Sequence, residues 1–261
     1  AFDSTTIDLC LSVFWWAKFR KKKGGIKVHT LYDVETQIPA FFHITEASVH
    51  DSKVMIEIPY EPSSYYIFDR GYNNFKILYK IHQIEAYFVV RAKKNLGYKS
   101  IQWKRRLPKN VLSDASVFLT GFYPKQYYPE PLRLVKYWDE EQEREFTFIT
   151  NAMHISALQV AELYKNRWQV ELFFKWHLKI KRFWGTTENA VRIQIYAAIC
   201  AYCLVAIIQH DMQLNRSTYE VLQILSISLT DKTHLRDLFD KTKFQNDKER
   251  FGPNGPSLFN F

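Results

Sequence analysis

SYYIFDRGYNNFKILYKIHQIEAYFVVR, from Ser64 to Arg91, reads as strand, helix, strand. Ser64–Asp69 is a short apolar run rich in aromatic residues, with Pro59 and Pro62 behind it and the tight exit Arg70-Gly71-Tyr72 ahead. Asn73 or Asn74 is placed to cap a helix running to about Ile84, because a short amide side chain can accept from the free N–H groups of a first turn. Tyr87–Arg91 (YFVVR) is then a second buried strand.

Working outward, Ala1–Leu9 reads as a strand followed by a polar, basic loop. Gly25–Asp33 (GIKVHTLYD) and Gln37–Thr45 (QIPAFFHIT) read as a hairpin, and Ser48 opens a short helix. Past Ala92 the pattern changes to aromatic, β-prone segments (VFLTGFYPKQYY, LRLVKYW) separated by Gly, Pro and charge. This suits an antiparallel β-insertion rather than helices. Glu145–Thr150 (EFTFIT) returns to a core strand, and Ile155–Ile180 carries apolar residues at helical spacing as one long helical region. The order is α/β with a mixed sheet, matching a ribonuclease-H-like core interrupted by a β-rich insertion before the last long helix. The expected divisions are 1–92 and 145–210 for the two parts of the core, 93–144 for the insertion, and 211–261 for a helical segment and tail. Disorder is expected from Lys241 to Phe261, where charges mix with Gly and Pro.

The chain has 261 residues, with 36 Lys and Arg against 27 Asp and Glu, giving a formal charge of +9 that favours a polyanionic partner. The cations cluster at Lys18–Lys23, Arg91–Lys94, Lys104–Arg106 and Lys179–Arg182, near Trp15, Trp16, Trp103 and Trp184. Cations neutralise phosphates and aromatic rings stack on exposed bases, so nucleic acid is favoured over an acidic membrane surface. Cys10, Cys200 and Cys203 lie in apolar settings with no second pair to complete a zinc site. They read as buried thiols of a reducing cytosol. The apolar run Ile193–Ile208 is 16 residues long, short of the roughly 20 that cross a bilayer, and reads as a buried core helix.

Three acids stand in apolar company: Asp3 in the first strand, Asp69 at the end of SYYIFD, and Glu171 in YKNRWQVELFFKW. Each has an ordinary reading by itself: a strand-end Asp, a turn Asp paired with Arg70, and an ion pair of Glu171 with Arg167 or Lys175. Together they sit on two core strands and an adjoining helix, where they can converge. Convergent carboxylates suit hard divalent cations such as Mg²⁺, with Mn²⁺ as substitute. Two such ions can clamp the attacking and leaving oxygens of an in-line phosphoryl displacement. Tyr164, Arg167 and Glu171 fall on one helical face, so Arg167 and Tyr164 are either a grip on DNA phosphate or a structural partner set for Glu171.

DSTTI around Asp3, IFDRGYNNF around Asp69, and YKNRWQVELFFKW through LKIKRFWGTTENAVR resemble the insertion-sequence-4 family of bacterial DDE transposases from Phe2 to about His210. The resemblance implies a ribonuclease-H-like catalytic core, Mg²⁺ dependence with two ions, cleavage at transposon ends, and transfer of a 3′-hydroxyl into target DNA. It makes Asp3, Asp69 and Glu171 the catalytic metal ligands, and Tyr164 and Arg167 contacts to end-proximal phosphate. Arg70 joins the expected DNA contacts. It also implies double-stranded DNA as partner, a homodimer on DNA, a bacterial cytoplasmic location beside the nucleoid, and no membrane.

Two departures from the family pattern stand out. The signature places a Lys seven residues after the Glu, whereas this chain has Leu178 there and the block is about three residues short; Lys175 or Lys179 is the expected substitute. Only Ala1 and Phe2 precede Asp3, so the N-terminal DNA-binding region of the family is expected to be missing. The alternative is a degenerate remnant that binds DNA without catalysis. Among other residues, His50-Asp51 could be a metal or acid/base pair, with Asp51 read as a helix cap. Lys27 and His29 alternate around Val28, with solvent or DNA as their surroundings. Tyr123, Tyr137 and Trp138 could stack on a displaced base, as in related hairpin-forming transposases, or pack a small β-core.

Overall fold

The computed structural model describes residues 1–20, 23–176, 178, 180, 182–228 and 232–241. The expected tail beyond Lys241, Lys179 and Lys181 therefore lie outside the described residues. The elements run β1 Phe2–Leu9, β2 Lys18–Arg20, β3 Lys23–Asp33, β4 Ile38–Glu46, α1 Asp51–Val54, β5 Tyr65–Phe68, α2 Phe75–Gln83, β6 Tyr87–Arg91, β7 Tyr98–Trp103 and β8 Val111–Leu119. They continue with α3 Phe122–Tyr127, β9 Leu132–Asp139, β10 Arg144–Thr150, α4 Ala157–Lys165, α5 Trp168–Trp176, α6 Glu188–Asp211, α7 Thr218–Ile227 and α8 Leu235–Lys241. Single 3₁₀ turns follow α1 (Met55–Glu57) and β5 (Arg70–Tyr72).

One mixed sheet runs β2-β3-β1-β5-β6-β10-β9-β8-β7, with β4 also on β3. β1 is antiparallel to β3, with Asp3 opposite Thr30 and Ser4 opposite His29, and parallel to β5 through Phe2 and Phe68. β5 and β6 are parallel, as a strand-helix-strand crossover requires, and Asn74 caps the connecting α2 through the Ile77 N–H. α2 presents Ile77, Leu78 and Ile81 to Phe68, Phe88 and Val90 on one face of the sheet. On the other face α4, α5 and α6 pack Val160, Val170, Phe173, Ile195 and Ile199 against Val28, Ile67, Val89 and Phe148.

The β-prone segment after Ala92 does not stand apart. β9 pairs with β10 along Arg133–Asp139, and β10 with β6, so β7, β8 and β9 extend the sheet. Their side chains enter both cores, Val111 and Val135 on one face and Val117 and Leu134 on the other. A buried ion pair secures them: Arg133 donates Nε and Nη2 to the two oxygens of Asp114 at 2.7 and 2.8 Å, and Nη1 to the carbonyls of Ala152 and Ile155. The segment also contains α3, where β structure alone was expected. Pro124 is tolerated there because it falls in the first turn, whose N–H groups have no intrahelical acceptor.

Four further expectations are corrected. The helical region Ile155–Ile180 is two helices, α4 and α5, broken by three-residue turns at Arg167 N–H to Tyr164 O (3.0 Å) and Val170 N–H to Arg167 O (3.2 Å). Asp51 does not cap α1; His50 does, accepting from the Ser52 N–H. α6 is longer than the apolar run and is not wholly buried, having the length and composition to cross a membrane. Val191, Ile195, Ala198, Ile199, Tyr202 and Val205 face the core while Ile193, Leu204 and Ile207 are exposed. Nor are the thiols buried: Cys10 and Cys200 are exposed and Cys203 is half-buried, all free.

Candidate active site

β5 ends beside the start of β1, and that junction sets the site. Asp3 follows Phe2, the residue of β1 registered on Phe68, and Asp69 follows Phe68. Asp69 thus emerges at the carboxyl end of β5, where open α/β sheets place their ligands, beside Asp3 in the first residues of β1. The break between α4 and α5 brings Tyr164, Arg167 and Glu171 over them. The Tyr164 hydroxyl donates to Asp69 Oδ1 at 2.8 Å. Arg167 donates Nη1 to Asp3 Oδ2 and Nη2 to Glu171 Oε1, the latter at 2.7 Å. Asp3 Oδ1 accepts the Ser4 backbone N–H at 2.9 Å. Arg91 Nη1 stands 3.8 Å from Asp69 Oδ1.

Electrostatics follow from this crowding. Burial, with the nearby charges of Glu171 and Asp69, raises the Asp3 pKa to about 6 against the pull of Arg167 and the Ser4 amide. Burial also opposes ionisation of Asp69, but the Arg70 amide, the Tyr164 hydroxyl, Arg167 and Arg91 outweigh it and leave its pKa below the ordinary carboxylate value. Burial and the Asp69 charge push the Tyr164 phenol up to about 12. Arg167 is held firmly charged by its carboxylates despite its own desolvation.

Of the expected DNA contacts, Arg70 is exposed and meets Asp69 through its backbone rather than its guanidinium; Lys175 is exposed in the last turn of α5. Leu178, at the signature Lys position, is buried. Arg70 and Arg91 also line a cleft of about 160 Å³ with Lys93, Lys94 and Lys136, a strongly basic wall beside Asp69. Trp15, Trp103 and Trp184 are exposed, whereas Trp16 is half-buried and donates to the Thr186 carbonyl at 2.8 Å. Tyr123 and Trp138 are exposed and Tyr137 packs partly against the core. Neither Lys27 nor His29 is turned freely to solvent: Lys27 is half-buried and pairs with Asp51 at 3.0 Å, and His29 is buried against Thr45. Ser4, Lys27 and Asp51 were not legible as neighbours of Asp3; only the period-two placement of Ser4, Lys27 and His29 on adjacent strands hinted at a shared face.

Among the described residues, no three Asp, Glu, His or Cys side chains are gathered closely enough to hold a metal ion. Arg167 lies between Asp3 and Glu171 and supplies the positive charge there. The donor set nonetheless has the chemistry of a divalent-cation site, being all carboxylate oxygen. One guanidinium does not satisfy it: Asp3 remains raised, and the buried Arg167 Nε has no partner.

The transposase DDE domain family matches residues 1–204. This chain belongs to that family. It is 36% identical over 246 residues to a Sinorhizobium fredii protein named as transposase y4zB, covering 90% of this chain and 67% of the relative. It is 30% identical over 205 residues to a Geobacillus stearothermophilus protein named as a transposase for insertion sequence element IS5377, covering 77% of this chain and 54% of the relative. A Synechocystis relative, named as a transposase for element IS4SA, is 25% identical over 246 residues, covering 88% of this chain and 66% of the relative. The chain thus spans between about half and two-thirds of the length of these relatives.

Proposed function

We propose that the chain is the catalytic part of an insertion-sequence-4-type transposase, cutting DNA at the ends of a mobile element and joining a 3′-hydroxyl to target DNA by in-line phosphoryl transfer. The observation that carries this reading is the linked set Asp3–Arg167–Glu171 and Tyr164–Asp69 where the end of β5 meets the start of β1. The strand arrangement from β4 to β6 fits a ribonuclease-H-like core of 1–92 and 145–210, with 93–144 inserted and 211–261 appended.

Asp3, Asp69 and Glu171 would hold Mg²⁺ or Mn²⁺, two ions in the full reading. The ions would activate the attacking oxygen and stabilise the leaving one. Tyr164 orients Asp69 through its hydroxyl. Arg167, permanently charged and two-pronged, pairs with carboxylates in the free protein and can turn to a DNA phosphate when the acids are otherwise neutralised. Arg70, Arg91, Lys93, Lys94 and Lys136 provide a basic approach for the backbone, with Lys175 and Lys179 as further contacts. Double-stranded DNA is the partner, two copies act on paired ends, and the setting is the bacterial cytoplasm beside the nucleoid.

The test is metal-dependent cleavage of nicked or end-bearing duplex DNA by the wild type and by Asp69→Ala. Cleavage that survives in the variant ends the assignment. The second reading, a DNA-binding remnant without turnover, draws support from the position of Arg167 between Asp3 and Glu171 and from the buried Leu178. It gives salt-sensitive DNA binding and no nicking in either Mg²⁺ or Mn²⁺.

A further inference from the structure

We propose that Asp51, held in place by Lys27, is a positioning residue for Asp3 and acts through Ser4. The inference rests on reading Asp3 as a cation ligand. Asp3 stands where β5 has ended, so its backbone has a strand partner on the β3 side, at Thr30, while β5 supports β1 only as far as Phe2. Two donors fix its carboxylate: Arg167 on Oδ2 and the Ser4 N–H on Oδ1. Arg167 belongs to the helix break above the sheet. The Ser4 amide is the donor built into the strand itself.

Ser4 is in turn pinned through its hydroxyl, which donates to Asp51 Oδ1 at 3.1 Å. The same oxygen accepts Lys27 Nζ at 3.0 Å, and that ammonium also donates to the Val49 carbonyl at 2.8 Å. Lys27 is opposite Thr6 and His29 opposite Ser4 on the paired strand, so the set straddles β1 and β3 beside the site. An Asp in a helix's first turn ordinarily serves that helix's own N–H groups. Here His50 takes the cap, and the Asp51 carboxylate is directed to the sheet. A tether for the 47–50 loop would be complete with Lys27 alone, which bonds both Val49 and Asp51. The Ser4 bond goes beyond tethering, because it reaches the residue whose amide holds Asp3.

The experiment compares wild type, Asp51→Ala, Asp51→Asn, Ser4→Ala and the Ser4→Ala/Asp51→Ala double variant. One arm is Mn²⁺ titration followed by electron paramagnetic resonance; the other is hydrogen exchange at the Ser4 amide. Groups that orient metal ligands are worth about 10–100-fold in affinity. Asp51→Ala and Ser4→Ala are expected to weaken Mn²⁺ binding by at least about 10-fold. The double variant should be no weaker than the worse single one. Asp51→Asn, which keeps an oxygen acceptor for the Ser4 hydroxyl, should return to within about threefold of wild type, the tolerance of independent effects. Unchanged Mn²⁺ affinity in a destabilised Asp51→Ala protein makes the set a loop tether and overturns the proposal. So does an Asn variant as weak as Ala, since charge rather than the Ser4 bond would then matter. If wild type takes up no Mn²⁺, it is the cation reading of Asp3 that fails. Positioning is then decided by exchange: faster exchange at Ser4 in Asp51→Ala, restored by Asn, sustains it, and unaltered exchange refutes it.

Discussion

Asp3 and Arg167, 164 positions apart in sequence, are joined carboxylate to guanidinium at the floor of the site. The pair is mostly buried, and the other prong of Arg167 reaches Glu171. The guanidinium therefore occupies oxygens that a divalent cation would need.

Replacing Arg167 with Ala should lower the stability of the metal-free protein by about 2 kcal/mol, a buried-pair loss reduced for partial exposure. Lysine at this position should recover little, because one ammonium cannot bridge both acids. The same Ala variant should bind Mn²⁺ more tightly, by about tenfold for one 1.4 kcal/mol competitor removed, while losing DNA cleavage. Urea melts and Mn²⁺ titrations check both halves; weaker Mn²⁺ binding would show that Arg167 does not compete.

Asp3 predicts a pH signature. Its folded pKa of about 6 lies above the ordinary carboxylate value of 3.8, so the folded protein holds this proton more strongly than the unfolded chain. The resulting stabilisation is complete below about pH 4 and is lost as pH rises through 6. Two units correspond to an upper bound of about 3 kcal/mol. Asp3→Asn removes the titration, so its melting temperature relative to wild type should climb between pH 4 and pH 7 in the presence of chelator. A difference that is flat across this range would refute the raised pKa.

Tyr164→Phe deletes the hydroxyl that donates to Asp69. A hydrogen bond to a charged group is worth about 1.5–3 kcal/mol, and stability should fall by the lower figure because the ring packing on Phe148 persists. The Asp69 pKa should rise, since that hydroxyl is among the groups holding it down. Carboxyl carbon shifts followed against pH give the direction, and a lower value would contradict the assignment.

The Asp114–Arg133 pair predicts an asymmetry. Asp114→Ala leaves a buried guanidinium uncompensated and should cost about 3–5 kcal/mol, whereas the joint change Asp114→Leu/Arg133→Met removes both charges and should cost much less. Chemical denaturation of the two variants makes the comparison. A double variant as damaged as the single one would place the cost in the lost Ala152 and Ile155 carbonyl bonds instead.

Much of this architecture was written locally. The strand-helix-strand from Ser64 to Arg91 is legible because its apolar runs change period where Asn74 can cap, and the hairpin 25–45 because its alternation is clean. The break at Arg167 was not legible. Helical spacing continues across it, and the side chains flanking the turn find their partners far away in sequence, Tyr164 on Asp69 and Arg167 on Asp3. Asp51 looked like a cap because a cap is decided by local sequence, while its actual partners come from β1 and β3. Nothing near Asp114 or Arg133 in the sequence tells that a strand pairing will bury them together.

The pairing of β9 with β10 has a mechanical consequence. The segment from 93 to 144 interrupts the chain in sequence but is welded into the same hydrogen-bonded ribbon that carries Asp3 and Asp69. Excising it would strip β10 of its neighbour and lay open a row of unpaired amides and carbonyls one strand from β6. Heat should therefore melt both parts in a single transition, and a protease should not release the segment as a separately folded fragment.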